Sequence, residues 1–190
     1  MTNAVAAPSN FKIRRLVGAD VDGTLNALAD ILIDCVEGGA SVSFLWPLSR
    51  ADALRFWQGV AESVDRNERV LLIAEDEQGA VIGTAQLITD MPENQPHRAE
   101  VAKMLVHRKA RRQGVAQQLM AAIDAAAQAE GKTVLVLDTA TGGDAERLYE
   151  RAGWQQVGVI PNYALMPDGK LAGTTFFFKQ SLNERSGSLW

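Results

Sequence analysis

The sequence contains too few cysteines and histidines for a disulfide framework or for a metal site built from these residues. Its 190 residues include one cysteine, Cys35, and two histidines, His97 and His107. A single cysteine excludes an internal disulfide and a cysteine-rich metal site, and it indicates a reducing compartment. Two histidines argue against a histidine-based metal site. We therefore expect a protein that needs no metal.

The sequence also lacks long apolar runs and a strong excess of one charge. No run reaches the length of a membrane span, and the first residues lack the basic and then apolar pattern of a secretion signal. The net charge of −4 argues against nucleic acid as the main partner and suits a cationic amine substrate. We expect a cytoplasmic protein, monomeric or homodimeric, with no membrane or nucleic-acid partner.

The length and composition suit one globular domain. Hydrophobic residues make up 47% of the chain and charged residues 22%, which is typical of such domains. Patterned sequence runs from residue 11 to residue 180, and we expect the domain there. Residues 1–10 and 181–190 show no such pattern, and we expect them to be loose, disordered tails.

The most informative stretch, residues 101–131, combines a strand, a tight turn and a long helix. Apolar residues on both faces predict a strand that ends near Val106. After the turn, apolar residues recur at the spacing of one helix face, at Val115, Leu119, Ala122, Ile123 and Ala126. Between the two elements, Gly114 lets a ligand approach the backbone closely because glycine has no Cβ.

This turn has the features of a pyrophosphate cradle. The amides from Gln113 to Gln117 are first-turn donors with no partner inside the helix. Arg111 and Arg112 add positive charge at the positive end of the helix dipole, which is unfavourable unless an anion binds there. The alternative is an ordinary strand–helix turn with solvated arginines.

Two motifs resemble those of the GNAT acetyltransferases. Arg-x-x-Gly-x-Ala at residues 111–116 resembles the family's acetyl-CoA motif, and Leu-Tyr-Glu-x-x-Gly-Trp at residues 148–154 resembles its second signature. The resemblance implies an acetyltransferase that uses acetyl-CoA as its co-substrate and holds the pyrophosphate with the turn. The turn residues are Arg111, Arg112, Gln113, Gly114, Val115, Ala116 and Gln117. Gly142 departs from the family pattern, because many members have an asparagine there.

The order of predicted elements is that of the GNAT fold, a mixed α/β (α+β) class. This fold has a central, mostly antiparallel, twisted sheet of about seven strands with a parallel central pair, flanked by four helices. Local patterns predict a helix from Asp20 to Val36 that is capped by Asp20 or Asp22. They also predict a short strand from Thr133 to Leu137 and a loop from Pro161 to Lys170.

Acetyl transfer to an amine requires a group that accepts the proton of the ammonium. Asp138 and Glu100 are the candidates, because they lie on neighbouring predicted strands. Glu100 can instead form an ion pair with Arg98 or Lys103, and Asp138 can cap the following turn. The family resemblance gives Tyr149 the role of protonating the leaving thiolate of CoA, and the alternative is a core tyrosine.

The end of the predicted strand before the turn is suited to the rest of the cofactor. Its edge at Met104, Leu105 and Val106 can pair with the amide-rich pantetheine arm as another strand would. A free N–H near Val106 can also polarise the acetyl carbonyl.

Further blocks resemble the tabtoxin-resistance acetyltransferases of the same family, among them Gly38–Val42, Arg98–Val101 and Pro161–Tyr163. This resemblance implies direct transfer, in a ternary complex, to the amine of a small molecule such as a β-lactam amino acid toxin or an antibiotic. A protein N-terminus or lysine is the alternative acceptor, and a non-catalytic acetyl-CoA-binding module is a third hypothesis. A pocket closed by Gly38–Phe44 would favour the small molecule, whereas this segment can also be a plain connector.

Overall fold

The computed structural model describes residues 10–180, which form seven strands and five α-helices. The strands are β1 (Phe11–Leu16), β2 (Arg69–Asp76), β3 (Val81–Ile88), β4 (Arg98–Val106), β5 (Val134–Ala140), β6 (Gln155–Leu165) and β7 (Leu171–Gln180). The helices are α1 (Ala19–Asp22), α2 (Leu25–Glu37), α3 (Arg50–Asp65), α4 (Val115–Ala129) and α5 (Asp144–Arg151), with a 3₁₀ turn at Arg108–Ala110. None of the helices in this part of the chain is long and apolar enough to cross a membrane. Apart from Asn10, the tails expected at 1–10 and 181–190 lie outside the described residues.

The strands form one sheet in the order β1-β2-β3-β4-β5-β7-β6. Every neighbouring pair is antiparallel except β4 and β5, which are parallel and connected through α4. Parallel neighbours need such a crossover because both strands start at the same end of the sheet. The predicted GNAT architecture, a mostly antiparallel sheet of seven strands with a parallel central pair, is confirmed.

Helices cover both faces of the sheet, and the sheet separates the core into two clusters. Helices α2 and α3 pack with Leu71 and Ile73 of β2 on the face that we call the α2–α3 face. Helix α4 packs with Leu72 on the opposite, α4–α5 face, where Tyr149 of α5 joins the same cluster. Because successive strand residues point to opposite faces, the strand register shows which face each site residue occupies.

The helix expected from Asp20 to Val36 is interrupted. Helix α1 ends at Asp22, and α2 begins only after Thr24, which holds its N-cap position. The Thr24 hydroxyl donates back to the Asp20 carbonyl oxygen, and neither predicted aspartate caps α2. The break lies at Gly23, where glycine's low helix propensity favours an interruption. The single turn α1 is thus a fifth helix in addition to the four expected.

The predicted loop from Pro161 to Lys170 is also wrong over half of its length. Strand β6 continues to Leu165 through an irregularity between Ile160 and Ala164, and only the turn from Met166 to Lys170 connects it to β7. Pro161 is tolerated because β6 is an edge strand, where a missing N–H disrupts no ladder on the solvent side. Strand β5 likewise extends beyond Leu137, because β7 pairs with it as far as Ala140.

Candidate active site

The sheet opens between its two parallel strands. Strand β4 pairs with β5 only through Arg98, Ala99 and Glu100, although β4 continues to Val106 and β5 continues to Ala140. Beyond Glu100, β5 pairs with β7 alone, and the β5-facing edge of β4 has no strand partner among the described residues. Unpaired strand edges require hydrogen-bond partners, and an extended chain of amides can supply them. The predicted pantetheine-binding edge therefore faces an open gap.

A β-bulge lies in β4 beside this gap. The register places Thr84 opposite Leu105 but Gln86 opposite Ala102, so Ala85 faces both Lys103 and Met104. Lys103 has a φ of 49°, which only a few non-glycine residues adopt. The bulge bends β4 and changes the direction of its side chains at the point where β4 leaves β5.

The strand register gives the direction of the Val106 amide. The amide of His107 donates to the Ile82 carbonyl oxygen of the β2–β3 hairpin at 2.9 Å, which places that N–H on the β3 side. Because neighbouring amides of a strand point to alternate sides, the Val106 N–H points towards the gap. Met104 and Val106 are partly exposed, whereas the Leu105 side chain is buried in the α2–α3 core. The Val106 carbonyl oxygen accepts a hydrogen bond from the Cys35 Sγ at 3.5 Å, so the Val106 N–H is the group that remains available to a ligand.

The predicted cradle lies at the start of α4. Gly114 is the N-cap with a φ of 83°, no side-chain cap is present, and the first hydrogen bond of the helix runs from the Gln118 N–H to the Gly114 oxygen. A Cβ on Gly114 would meet no atom within 4 Å, so the space in front of the turn is open. Arg111 and Arg112 are exposed beside it, whereas the Val115 side chain is buried in the core. The amides at the start of α4 thus face an open surface, and the exposed Arg111 and Arg112 precede them in the chain.

Helix α2 fixes the connection between β4 and this cradle. The Arg108 N–H and Nε each donate to a carboxylate oxygen of Asp34 at 2.8 Å, and the Arg108 guanidinium also binds Glu37. Burial disfavours the charge on Asp34, but the hydrogen bonds from Arg108 outweigh it and hold the pKa of this carboxyl below its usual range. This clamp joins residues more than seventy positions apart, and it was not predicted from the sequence.

Both candidate bases lie on the α2–α3 face. Glu100 is level with Val136 across the parallel pair, and Asp138 follows Val136 by two residues, so the two carboxylates point to the same side. Asp138 is exposed and Glu100 partly exposed. No ion pair joins Glu100 to Arg98 or Lys103 in the part of the chain that the structure describes.

The electrostatic surroundings of Asp138 suit a proton acceptor. Partial desolvation raises the pKa of Asp138 above its usual value, and the nearby Lys103 ammonium opposes that rise. Asp138 lies within β5, two residues before its end, and no side-chain hydrogen bond to the following turn is found among residues 10–180. The predicted turn-capping role of Asp138 therefore has no support in the geometry.

Tyr149 approaches from the opposite, α4–α5 face. Its side chain is 6% exposed and packs against Phe177 and Trp154, with ring centroids 5.8 and 6.1 Å away. Burial, with a smaller contribution from Asp138, raises the pKa of Tyr149 to about 12, so the hydroxyl is protonated at neutral pH. That hydroxyl has no hydrogen bond within the described residues, yet it is not among their fully buried, unpartnered polar atoms. The ring is therefore part of the core while the oxygen remains accessible.

The segment between α2 and α3 spans the α2–α3 face. Ser43 accepts a hydrogen bond from the Lys103 Nζ at 3.2 Å, and the Trp46 N–H donates to the Pro167 oxygen of the β6–β7 turn at 3.0 Å. The segment Gly38–Phe44, together with Trp46, is thus held on β4 at one point and on the β6–β7 hairpin at another. This placement is what a substrate-covering segment requires.

Three polar residues on this face were not proposed as site residues from the sequence. Lys103 donates to Ser43 of the segment between α2 and α3. Arg69 donates to Ser63 and to Gln86, and the Gln86 Nε2 is buried without a partner among the described residues. The one available signal was their position, since each is a polar residue within a largely apolar strand. The pairing of β2 with β3 and of β3 with β4 brings these three residues to the same face of the sheet.

Comparison with known proteins identifies the family. The family model described as "Acetyltransferase (GNAT) family" matches residues 25–154. This chain belongs to the GNAT acetyltransferase family. The match covers both motifs and all predicted site residues, and it confirms the predicted enzyme class, an acyltransferase. The chain is also similar to an uncharacterised N-acetyltransferase from the hisH–hisA intergenic region of Azospirillum brasilense, with 33% identity over 118 residues, which are 61% of this chain and 68% of the relative.

Solved structures show the same fold at low sequence identity. A ribosomal-protein-alanine N-acetyltransferase from Brucella melitensis is 24% identical, with a TM-score of 0.74 over 90% of this chain and 99% of its own. A GNAT superfamily phosphinothricin acetyltransferase from Sinorhizobium meliloti, solved with acetyl-CoA, is 21% identical, with a TM-score of 0.71 over 90% of this chain and 88% of its own. The GNAT fold therefore carries different acceptors, which the fold alone does not distinguish.

The cradle assignment predicts the effect of Gly114→Glu. The substitution places bulk and negative charge in front of the α4 amides, so we expect the affinity for CoA to fall at least about tenfold, or ~1.4 kcal/mol. Gly79→Glu is the matched control, because Gly79 has a φ of 79° and equally open space in the β2–β3 turn. Calorimetric titration measures both. Equal CoA affinity of the two folded variants would show that this turn does not bind the pyrophosphate.

Proposed function

We propose that the protein transfers the acetyl group of acetyl-CoA to the amine of a small molecule, directly and within a ternary complex. One observation carries the proposal: the gap between β4 and β5 is flanked by two carboxylates on one face and by Tyr149 on the other. A thioester in that gap would be accessible to a base and an amine from one side and to an acid from the other. The arrangement meets the proton requirements of acetyl transfer.

Acetyl-CoA, the acetyl donor, has a suitable path on this surface. The amides at the start of α4, with Arg111 and Arg112, bind the pyrophosphate. The pantetheine arm then pairs with the free edge of β4, which brings the thioester to the gap. There the Val106 N–H donates to the acetyl carbonyl oxygen and stabilises the oxyanion of the tetrahedral intermediate, a contribution of roughly 3 kcal/mol for one such donor.

Three proton transfers complete the reaction. Asp138 or Glu100 accepts a proton from the substrate ammonium and releases it to water, and the free amine forms the C–N bond with the acetyl carbon. The nitrogen of the tetrahedral intermediate then gives its second proton to the same carboxylate. The C–S bond breaks as the intermediate collapses, and the Tyr149 hydroxyl donates its proton to the leaving thiolate. Solvent returns a proton to Tyr149, while the carboxyl group releases its proton to water. Asp138 is our first choice as base because it is the more exposed carboxylate and its raised pKa favours proton acceptance.

A small acceptor is favoured over a protein by the segment across the α2–α3 face. The contacts of Ser43 with Lys103 and of Trp46 with Pro167 leave that segment over the side from which the amine must enter. A site covered in this way suits a compact amine, such as a β-lactam amino acid toxin or an antibiotic, more than an extended peptide. The similarity to a phosphinothricin acetyltransferase supports this preference, whereas the ribosomal-protein relative keeps peptide acceptors as the alternative.

A mass-spectrometric screen with acetyl-CoA tests the proposal. The panel contains β-lactam amino acids, other amino acids, aminoglycosides, polyamines and peptides, and Tyr149→Phe serves as the catalytic control. We expect acetylation of a compact amine by the wild type and a strongly reduced rate with the variant. Acetylation of peptides alone would replace the small-molecule assignment, and acetyl-CoA binding without any transfer would leave a non-catalytic module.

The assignment of the base predicts a difference between Asp138→Asn and Glu100→Gln. The first change keeps the size of the side chain but removes the proton acceptor, so we expect kcat/KM to fall ~10²-fold or more with nearly unchanged CoA affinity. Glu100→Gln, on the same face, is the matched comparison. Steady-state kinetics with a screened acceptor distinguish the two. If only the Glu100 change reduces kcat/KM, the role of base belongs to Glu100.

The role of Tyr149 predicts a chemical defect without a binding defect. Tyr149→Phe preserves the ring and its contacts with Phe177 and Trp154, so the fold and the Kd for acetyl-CoA should change little. We expect kcat to fall ~10²-fold or more. An acetyl thioester with a more acidic leaving thiol should recover part of the loss, because its thiolate needs less protonation. A loss of equal size for good and poor leaving groups would return Tyr149 to a purely structural role.

A further inference from the structure

Lys103 occupies an unusual position for a lysine. It lies in the β4 bulge with a φ of 49°, and its side chain is partly buried beneath the α2–α3 segment. The Nζ lies 3.2 Å from the Ser43 hydroxyl oxygen and 5.6 Å from the centroid of the Phe56 ring. A hydroxyl and an aromatic face orient the ammonium, but neither neutralises it.

No carboxylate neutralises Lys103 directly. Across residues 10–180, no carboxylate oxygen lies within 4.0 Å of its Nζ. Desolvation lowers the pKa of Lys103, and the more distant Asp138 and Glu100 partly offset that effect. A partly desolvated ammonium without an ion pair is costly. An anion bound beside it would remove that cost.

Further unused donor capacity lies on the same face. Arg69 is partly buried, donates from Nε to the Ser63 hydroxyl and from Nη1 to the Gln86 side-chain oxygen, and likewise has no ion pair within the described residues. Gln86 is fully buried, and its Nε2 has no partner. Two cations and an unpartnered amide thus accompany the two carboxylates, Glu100 and Asp138.

This mixture of charges constrains the acceptor. A polyamine or an aminoglycoside carries several positive charges, and the ammonium of Lys103 would repel them. An acceptor with one amine and one anionic group would place its ammonium by Asp138 or Glu100 and its anion by Lys103. Both ends would then exchange water for an opposite charge in a partly desolvated cleft, where such contacts are strong.

We propose that Lys103 is a specificity-determining residue that binds an anionic group of the acceptor, so that the preferred acceptors are amino acids or compounds with the same pairing of amine and carboxylate. This inference rests on the proposed function and narrows its substrate class. Lys103 takes no part in bond formation, because the proton transfers use Asp138 or Glu100 and Tyr149. Its effect is confined to which amine binds productively.

The test compares proteinogenic L-amino acids with their own primary amides, together with spermidine and kanamycin as polycationic probes. We expect the wild type to acetylate at least one amino acid about tenfold more efficiently than its amide, measured as kcat/KM. Lys103→Met should abolish that preference by lowering kcat/KM for the amino acid alone. Lys103→Arg should retain part of it, and neither variant should alter the Kd for acetyl-CoA.

Lys12→Met is the matched control, because Lys12 is an exposed lysine on β1, at the far edge of the sheet, and it should leave the preference unchanged. A polycation as the best acceptor, or an unchanged preference in Lys103→Met, would overturn the role of Lys103 while the acetyl transfer itself stands. If no amine in the panel is acetylated, the proposed function is overturned, and the inference with it.

Discussion

The loss of strand pairing between β4 and β5 after Glu100 is the constraint on which the rest of the site depends. Backbone amides in the middle of a sheet normally find partners in the adjacent strand. Here the β5-facing edge of β4 has no strand partner beyond Glu100 among the described residues, although both strands continue. An amide-rich ligand can complete this edge, and the gap also lets groups from both faces of the sheet reach one point.

Several contacts keep the strands apart. Strand β5 pairs with β7 over its whole length, which holds β5 in the sheet where β4 bends away from it. The bulge at Lys103 bends β4, and the Arg108 clamp to Asp34 and Glu37 ties the end of β4 to α2. The gap therefore lies beside a β4 strand that is bent at Lys103 and anchored at its end.

Local patterns were sufficient for the architecture and for the cofactor turn. The helical spacing after Gly114 and the strand before it are local properties, and both elements are where the patterns predict them. The extension of β6 depends on pairing with β7, which local patterns do not contain. The α1–α2 break has a local cause at Gly23, which the apolar spacing from Asp20 to Val36 does not reveal. The Pro161–Lys170 segment is the clearest case, because turn-forming residues there are accommodated in an edge strand that β7 holds in place.

Local patterns were also insufficient to place the residues of the candidate site relative to one another. The motifs pointed to Tyr149 and the cradle, and neighbouring strands pointed to Asp138 and Glu100. That the carboxylates lie on one face and Tyr149 on the other follows only from the register and from the two core clusters. Lys103 was considered only as a possible ion-pair partner of Glu100. Its separate role emerges because the bulge and the α2–α3 segment place it in the cleft without an ion pair.

Amide hydrogen exchange, resolved by residue with and without CoA, tests the central claim that the gap beside β4 receives the cofactor. We expect slower exchange on CoA binding at Val106, on the free edge of β4, and at the first amides of α4. Amides of β2, which are paired on both sides, should change far less. Protection that appears elsewhere while Val106 exchanges at its original rate would contradict the account.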